Sequence, residues 1–147
     1  VIRLRRHHRD ERGSAAIEAA VGVPAFVLFV GLIIFGGRTA TAHQSVESAA
    51  ADAARAASIE RTSTSARAAA ISAATTSLSN QGVPCLDLDV AVDANQFINR
   101  TVGEAATVSV QVQCRIDLSD LSVPAVPGSR LISATMTSPI DTFRERA

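Results

Sequence analysis

Glu18 is the residue whose position most needs a chemical explanation. It stands at the entrance of an uncharged run, Ala19–Gly37, where an unpaired, ionised carboxylate costs about 3 kcal/mol of membrane insertion. A carboxylate kept there needs a cationic partner. The other candidate groups point to less. Asp87, Asp89 and Asp93 are spaced as if for calcium, but they alternate along one strand and do not converge in a Gly-containing loop. A solvated strand face is therefore expected, and no metal site. Ser45 and Glu47 flank His43, yet residues two apart on a helix do not face each other. His7 and His8 lie in a cationic tail and read as solvated. There is no Gly-x-Ser-x-Gly, His-Glu-x-x-His, phosphate loop or paired-Cys motif. An enzyme is not expected, nor a cofactor, nor a small-molecule substrate. Basic residues interleaved with aromatics are also missing outside the first residues, so nucleic-acid binding has no support.

The element that carries Glu18 is an apolar helix. At 1.5 Å per residue the run Ala19–Gly37 extends about 28 Å, close to the ~30 Å hydrocarbon layer of a bilayer. Pro24 forfeits one backbone hydrogen bond within it and should kink it mildly. Gly22, Gly31, Gly36 and Gly37 permit close approach of other helices, although Gly is common in membrane helices in any case. Arg3, Arg5, Arg6, Arg9 and Arg12 precede the run, giving residues 1–13 a net charge of +3, while residues 38–147 carry −2. That asymmetry predicts a cytoplasmic N-terminus and an extracytoplasmic C-terminal portion.

The wording Arg12-Gly13-Ser14-Ala15-Ala16-Ile17-Glu18-Ala19-Ala20-Val21, with Pro24 behind it and Phe35-Gly36 near its end, resembles the TadE-like family. Those proteins are minor pilins or pseudopilins of the tight-adherence (Flp, type IVb) pilus system. The resemblance implies cleavage by a prepilin peptidase between Gly13 and Ser14, which makes Glu18 the fifth mature residue. It also implies that Glu18 contacts the free amino terminus of a neighbouring subunit. Ammonium and carboxylate would each relieve the other's desolvation. The implied partners are the membrane, prepilin peptidase, other pilin-like subunits and Tad assembly proteins, and the implied place is the cytoplasmic membrane, crossed once. Two other readings stay open. One is an uncleaved single-pass anchor displaying a small extracytoplasmic binding domain. The other is a secreted protein cut after Ala42, at the small-x-small site Ala40-Thr41-Ala42.

The expected fold is α+β: a long N-terminal helix, transmembrane plus stalk, followed by a small antiparallel β-sheet domain. The expected divisions are a basic leader (1–13), a transmembrane helix (14–38), an Ala-rich extracytoplasmic helix (39–79) and a β-rich domain (80–147). Val46, Ala49, Ala50, Ala53, Ala57, Ile71, Ala74 and Leu78 supply a thin apolar stripe along the Ala-rich segment. Thr62-Ser63-Thr64-Ser65 offers a break with a new N-cap, and an ordinary helical hairpin is the alternative to an extended stalk. Asn80-Gln81-Gly82-Val83-Pro84 is a stop signal.

Beyond the stop the period changes to two. Leu86, Leu88, Val90 and Val92 share one face of a first strand, and Ala106, Val108, Val110, Val112, Cys114 and Ile116 share one face of a second. Leu131–Thr137 reads as a third. Loops are expected over Asn95–Glu104, where Asn99-Arg100-Thr101 is formally a sequon without meaning here, and at Pro124, Pro127 and Gly128. Asp141–Ala147 reads as a frayed terminus. Cys85 and Cys114 fall in the part expected to be exported, where oxidation is permitted. A disulfide between them is expected, against free thiols or an intermolecular bond. It needs a bend at the strand start, because Cys85 has the parity of the polar face.

Overall fold

The computed structural model describes residues 12–97, 104–121 and 128–141. The basic leader up to residue 11, the sequon, Pro124, Pro127 and residues 142–147 lie outside the described residues.

A single helix, α1, runs from Arg12 to Ser58 and is about 70 Å long at the standard rise. Its two halves differ in what surrounds them. Large apolar side chains of the first half, among them Ile17, Val21, Phe26, Phe29 and Ile33, are exposed. In the second half Ala42, Val46, Ala49, Ala50, Ala53 and Ala57 are buried, at the three- and four-residue spacing that keeps one helical face towards a core.

The chain then turns through four residues and returns as α2, Ser63–Asn80. The turn is written locally. Thr62 is extended and accepts a hydrogen bond from the Ser65 amide, and the Ser65 hydroxyl in turn serves the Thr62 backbone. This reciprocal cap satisfies helix-terminal donors that would otherwise be orphaned. Ala66, Ala70, Ala74 and Leu78 form the buried row of α2 and share one core with the Ala row of α1. The helical hairpin is thus the form adopted, not an extended stalk. Methyl side chains on both helices let the backbones approach closely, and the buried area of two shallow faces is pooled with that of the sheet. Ile71 does not join the stripe: it is 49% exposed, because the four-residue row through Ala70 and Ala74 places it on the flank.

α2 ends in a left-handed residue. Gly82 has φ +66°, its amide donates to Ser79 O, and the Val83 amide donates to Leu78 O. These two bonds close a Schellman motif, which Gly alone enters without a Cβ penalty, and Pro84 follows.

Three antiparallel strands complete the fold: β1 (Cys85–Asp93), β2 (Ala106–Asp117) and β3 (Ser129–Ile140), in the order β1-β2-β3. The α+β class is therefore that of the structure. Alternate residues of β2 from Ala106 to Ile116 are buried beneath the hairpin, with Ile132 and Ala134 of β3 beside them. α1 lies over β2 and β3, and α2 lies nearer β1. The other face of the sheet is mostly polar, with Leu131 exposed on it beside Arg115.

One register detail departs from the sequence pattern. Cys85 stands opposite Ile116 and Asp87 opposite Arg115, so the ladder gains one residue on β1 at Leu86. This bulge reverses the parity of the strand start. Leu86 is thrown out to 60% exposure and parts from Leu88, Val90 and Val92, while Cys85 turns to the core face. Cys85 and Cys114 are joined by a disulfide, with Cα atoms 5.3 Å apart.

Candidate functional site

Among the described residues, nothing buries the large apolar side chains of the helix over residues 15–34. Eleven large apolar side chains between Ile17 and Ile34 are exposed, each worth about 1.5–3 kcal/mol on leaving water. Against that sum, the ~3 kcal/mol that one unpaired carboxylate costs is small. The physical preference of this half is therefore burial in an apolar medium, with Glu18 carried along. α1 contains a segment apolar and long enough to cross a membrane.

Glu18 is exposed within this half, and among the described residues it has no hydrogen bond or ion pair. Its neighbours on the same face are small except Val21, three residues after it, whose side chain is exposed. Ala15 lies three residues before it and Gly22 four after, and a Cβ built at Gly22 meets nothing within 4 Å. Among the described residues nothing covers the carboxylate. Ser14 precedes Glu18 by four residues, about one helical turn along the same face. Gly13 and Ser14 lie in the first turn of α1.

The neck, where the bare half meets the packed half, is built by several elements. Phe35 already packs against the core, although it belongs to the apolar run. The Thr39 and Thr41 hydroxyls donate to Phe35 O at 2.9 Å and Gly37 O at 3.0 Å, bracketing the Gly36-Gly37 pair. Arg38 Nη1 donates to Asp120 Oδ2 at 2.6 Å, tying α1 to the 3₁₀ turn that follows β2, Ser119–Leu121. The Ser119 amide donates to Asp117 Oδ1 at 2.9 Å. That backbone hydrogen bond, aided by the Ser119 side chain, holds the Asp117 carboxyl below its usual range. The Leu118 amide donates to Gly128 O, and Gly128 sits close against Ser119.

The remaining sequence candidates do not converge. Asp87, Asp89 and Asp93 lie on the outer sheet face, opposite Arg115, Gln113 and Ser109. Asp93 Oδ1 accepts from the Asn95 amide. Among the described residues no group of three His, Cys, Asp or Glu is placed to hold a metal. His43 does face Glu47, four residues on, with Nδ1 3.3 Å from Oε1. Only Ser45 is at the two-residue spacing that separates side chains. The pair is exposed on one helix. The Arg38–Asp120 bridge has no sequence signal, because its partners are 82 residues apart.

Residues 13–55 match the family model described as TadE-like protein, a stretch that takes in the Gly13–Ser14 junction, Glu18, the bare half of α1 and most of its packed half. No curated protein and no solved structure matches the chain.

Proposed function

With a TadE-like segment over residues 13–55, we propose that this chain is a pseudopilin or minor pilin, a membrane-anchored structural component of tight-adherence (Flp) pilus assembly. The observation that carries the reading is the coincidence of that segment with a bare apolar helix whose Glu18 is unpartnered among the described residues. In this reading the basic leader stays cytoplasmic, and α1 crosses the cytoplasmic membrane once. The hairpin and sheet project outside.

Prepilin peptidase cuts between Gly13 and Ser14. The new Ser14 ammonium of one subunit then meets Glu18 of another in a setting of low dielectric, where each charge offsets the other's desolvation. The protein's role is recognition, not catalysis. Its apolar half packs among other pilin-like helices, and the rigid continuation of α1 into the head converts their packing into a fixed placement of the head.

The test is Glu18→Ala in the host. The variant should insert in the membrane as the wild type does and fail to support pilus assembly. Normal assembly by the variant would refute the role given to Glu18.

A further inference from the structure

The base of the head carries a groove that the packing of helix on sheet leaves open. It lies between the start of the packed half of α1, the α2–β1 turn and the end of β2, and encloses about 640 Å³. Ala42, Pro84 and Leu118 give it an apolar wall, and Arg38, Asp117 and Asp120 bring charge to it.

Its level along α1 follows from Phe35. Because that residue of the apolar run packs on the head's core, the head overlaps the last turn of the run, a length of about 5 Å. If residues 19–37 fill the hydrocarbon layer, the groove lies among lipid headgroups and not in open water above them.

Its charge selects among headgroups. Arg38 and Asp120 already meet at 2.6 Å, which leaves Asp117 as the surplus carboxylate. Among the described residues Asp117 has no cation beside it, and the Ser119 amide keeps it ionised. A purely anionic headgroup meets a net negative charge here. A headgroup with both an ammonium and a phosphate finds a complement for each. The guanidinium has five donors, of which the contact with Asp120 uses one, so others remain for a phosphate oxygen.

We infer that this groove holds an ammonium-bearing phospholipid headgroup of the phosphatidylethanolamine type, with its ammonium on Asp117 and its phosphate on Arg38. The inference rests on the membrane-anchored reading above. The lipid would fix the head at the bilayer surface before assembly, at a point where α1 alone leaves it free to move in depth.

The experiment places the full chain in nanodiscs of phosphatidylcholine with equal parts of phosphatidylethanolamine and phosphatidylglycerol. Retained lipid is then read by native mass spectrometry. Phosphatidylethanolamine should be retained over phosphatidylglycerol by at least about tenfold, the effect of one charge-assisted hydrogen bond. Asp117→Asn, nearly isosteric and checked for an unchanged circular dichroism spectrum, should remove that preference. Arg38→Gln should lower retention of both lipids. Equal retention of the two lipids by the wild type, or an unaltered preference in Asp117→Asn, would overturn the inference and leave the membrane anchor standing. So would a second copy of the chain cross-linked into the groove. Failure of the chain to insert into the bilayer would overturn both.

Discussion

Removing the disulfide tests how the small head holds together. The bond joins Cys85 to Cys114 across a sequence separation of 29. In the chain-entropy model, closing a loop of that length takes about 12 cal/mol/K from the unfolded chain, or about 3.6 kcal/mol at 25 °C. Against a typical stability of about 5–15 kcal/mol this is a large share. The core gives little compensation, since the buried apolar side chains on its helical side are alanines apart from Val46 and Leu78.

The assay is urea unfolding of the full chain in micelles, followed by circular dichroism with and without reductant, beside the Cys85→Ala/Cys114→Ala double variant. With a urea dependence of about 1.5 kcal/mol/M, the midpoint of the reduced wild type should fall by about 2.4 M. Reductant should not move the double variant. The bare half of α1 should keep its helix in the micelle throughout. A fall of less than about 0.7 M on reduction, corresponding to about 1 kcal/mol, would refute the argument that this link constrains the unfolded head.

Other expectations follow from single residues. Gly82→Ala should cost about 1 kcal/mol, since φ +66° strains any Cβ although the surrounding space is open. Urea midpoints would show it. Ala53→Leu should cost about 1–3 kcal/mol by forcing the hairpin apart at a fully buried position, and the same assay would detect the loss. The hydrogen bond from the Ser119 amide holds the Asp117 carboxyl below its ordinary value of 3.8 in the folded chain. Its contribution is therefore present above that value and is lost as pH falls through the folded pKa. The stability difference between wild type and Asp117→Asn should be flat above about pH 5 and shrink below about pH 4, and a constant difference across that range would contradict the assignment.

The parts of the fold legible in the sequence are those with a local cause. The period-two run of β2 predicts its buried face residue by residue, because each apolar position meets the same layer of helices. The helix stop at Gly82 and the cap at Thr62 are written in neighbouring residues. What periodicity could not reveal is where a strand gains a residue. The bulge at Leu86 depends on the partner strand, and it alone decides that Cys85 faces inwards and Leu86 does not. Ile71 misled for a related reason: an apolar residue in an alanine helix looks like core, but the closest approach of two helices is made by the smallest side chains.

The candidate site divides in the same way. Glu18 is conspicuous because a carboxylate contradicts its surroundings. The neck is silent in the sequence, because Arg38 and Asp120 meet only once the whole head has folded.

The central claim is that Gly13–Ser14 is a processing junction and Glu18 an assembly contact, and the most direct measurement is the intact mass and N-terminal sequence of the protein recovered from its host's membranes. A chain beginning at Ser14 is the predicted result. An uncut leader, or a chain beginning at His43, would contradict it.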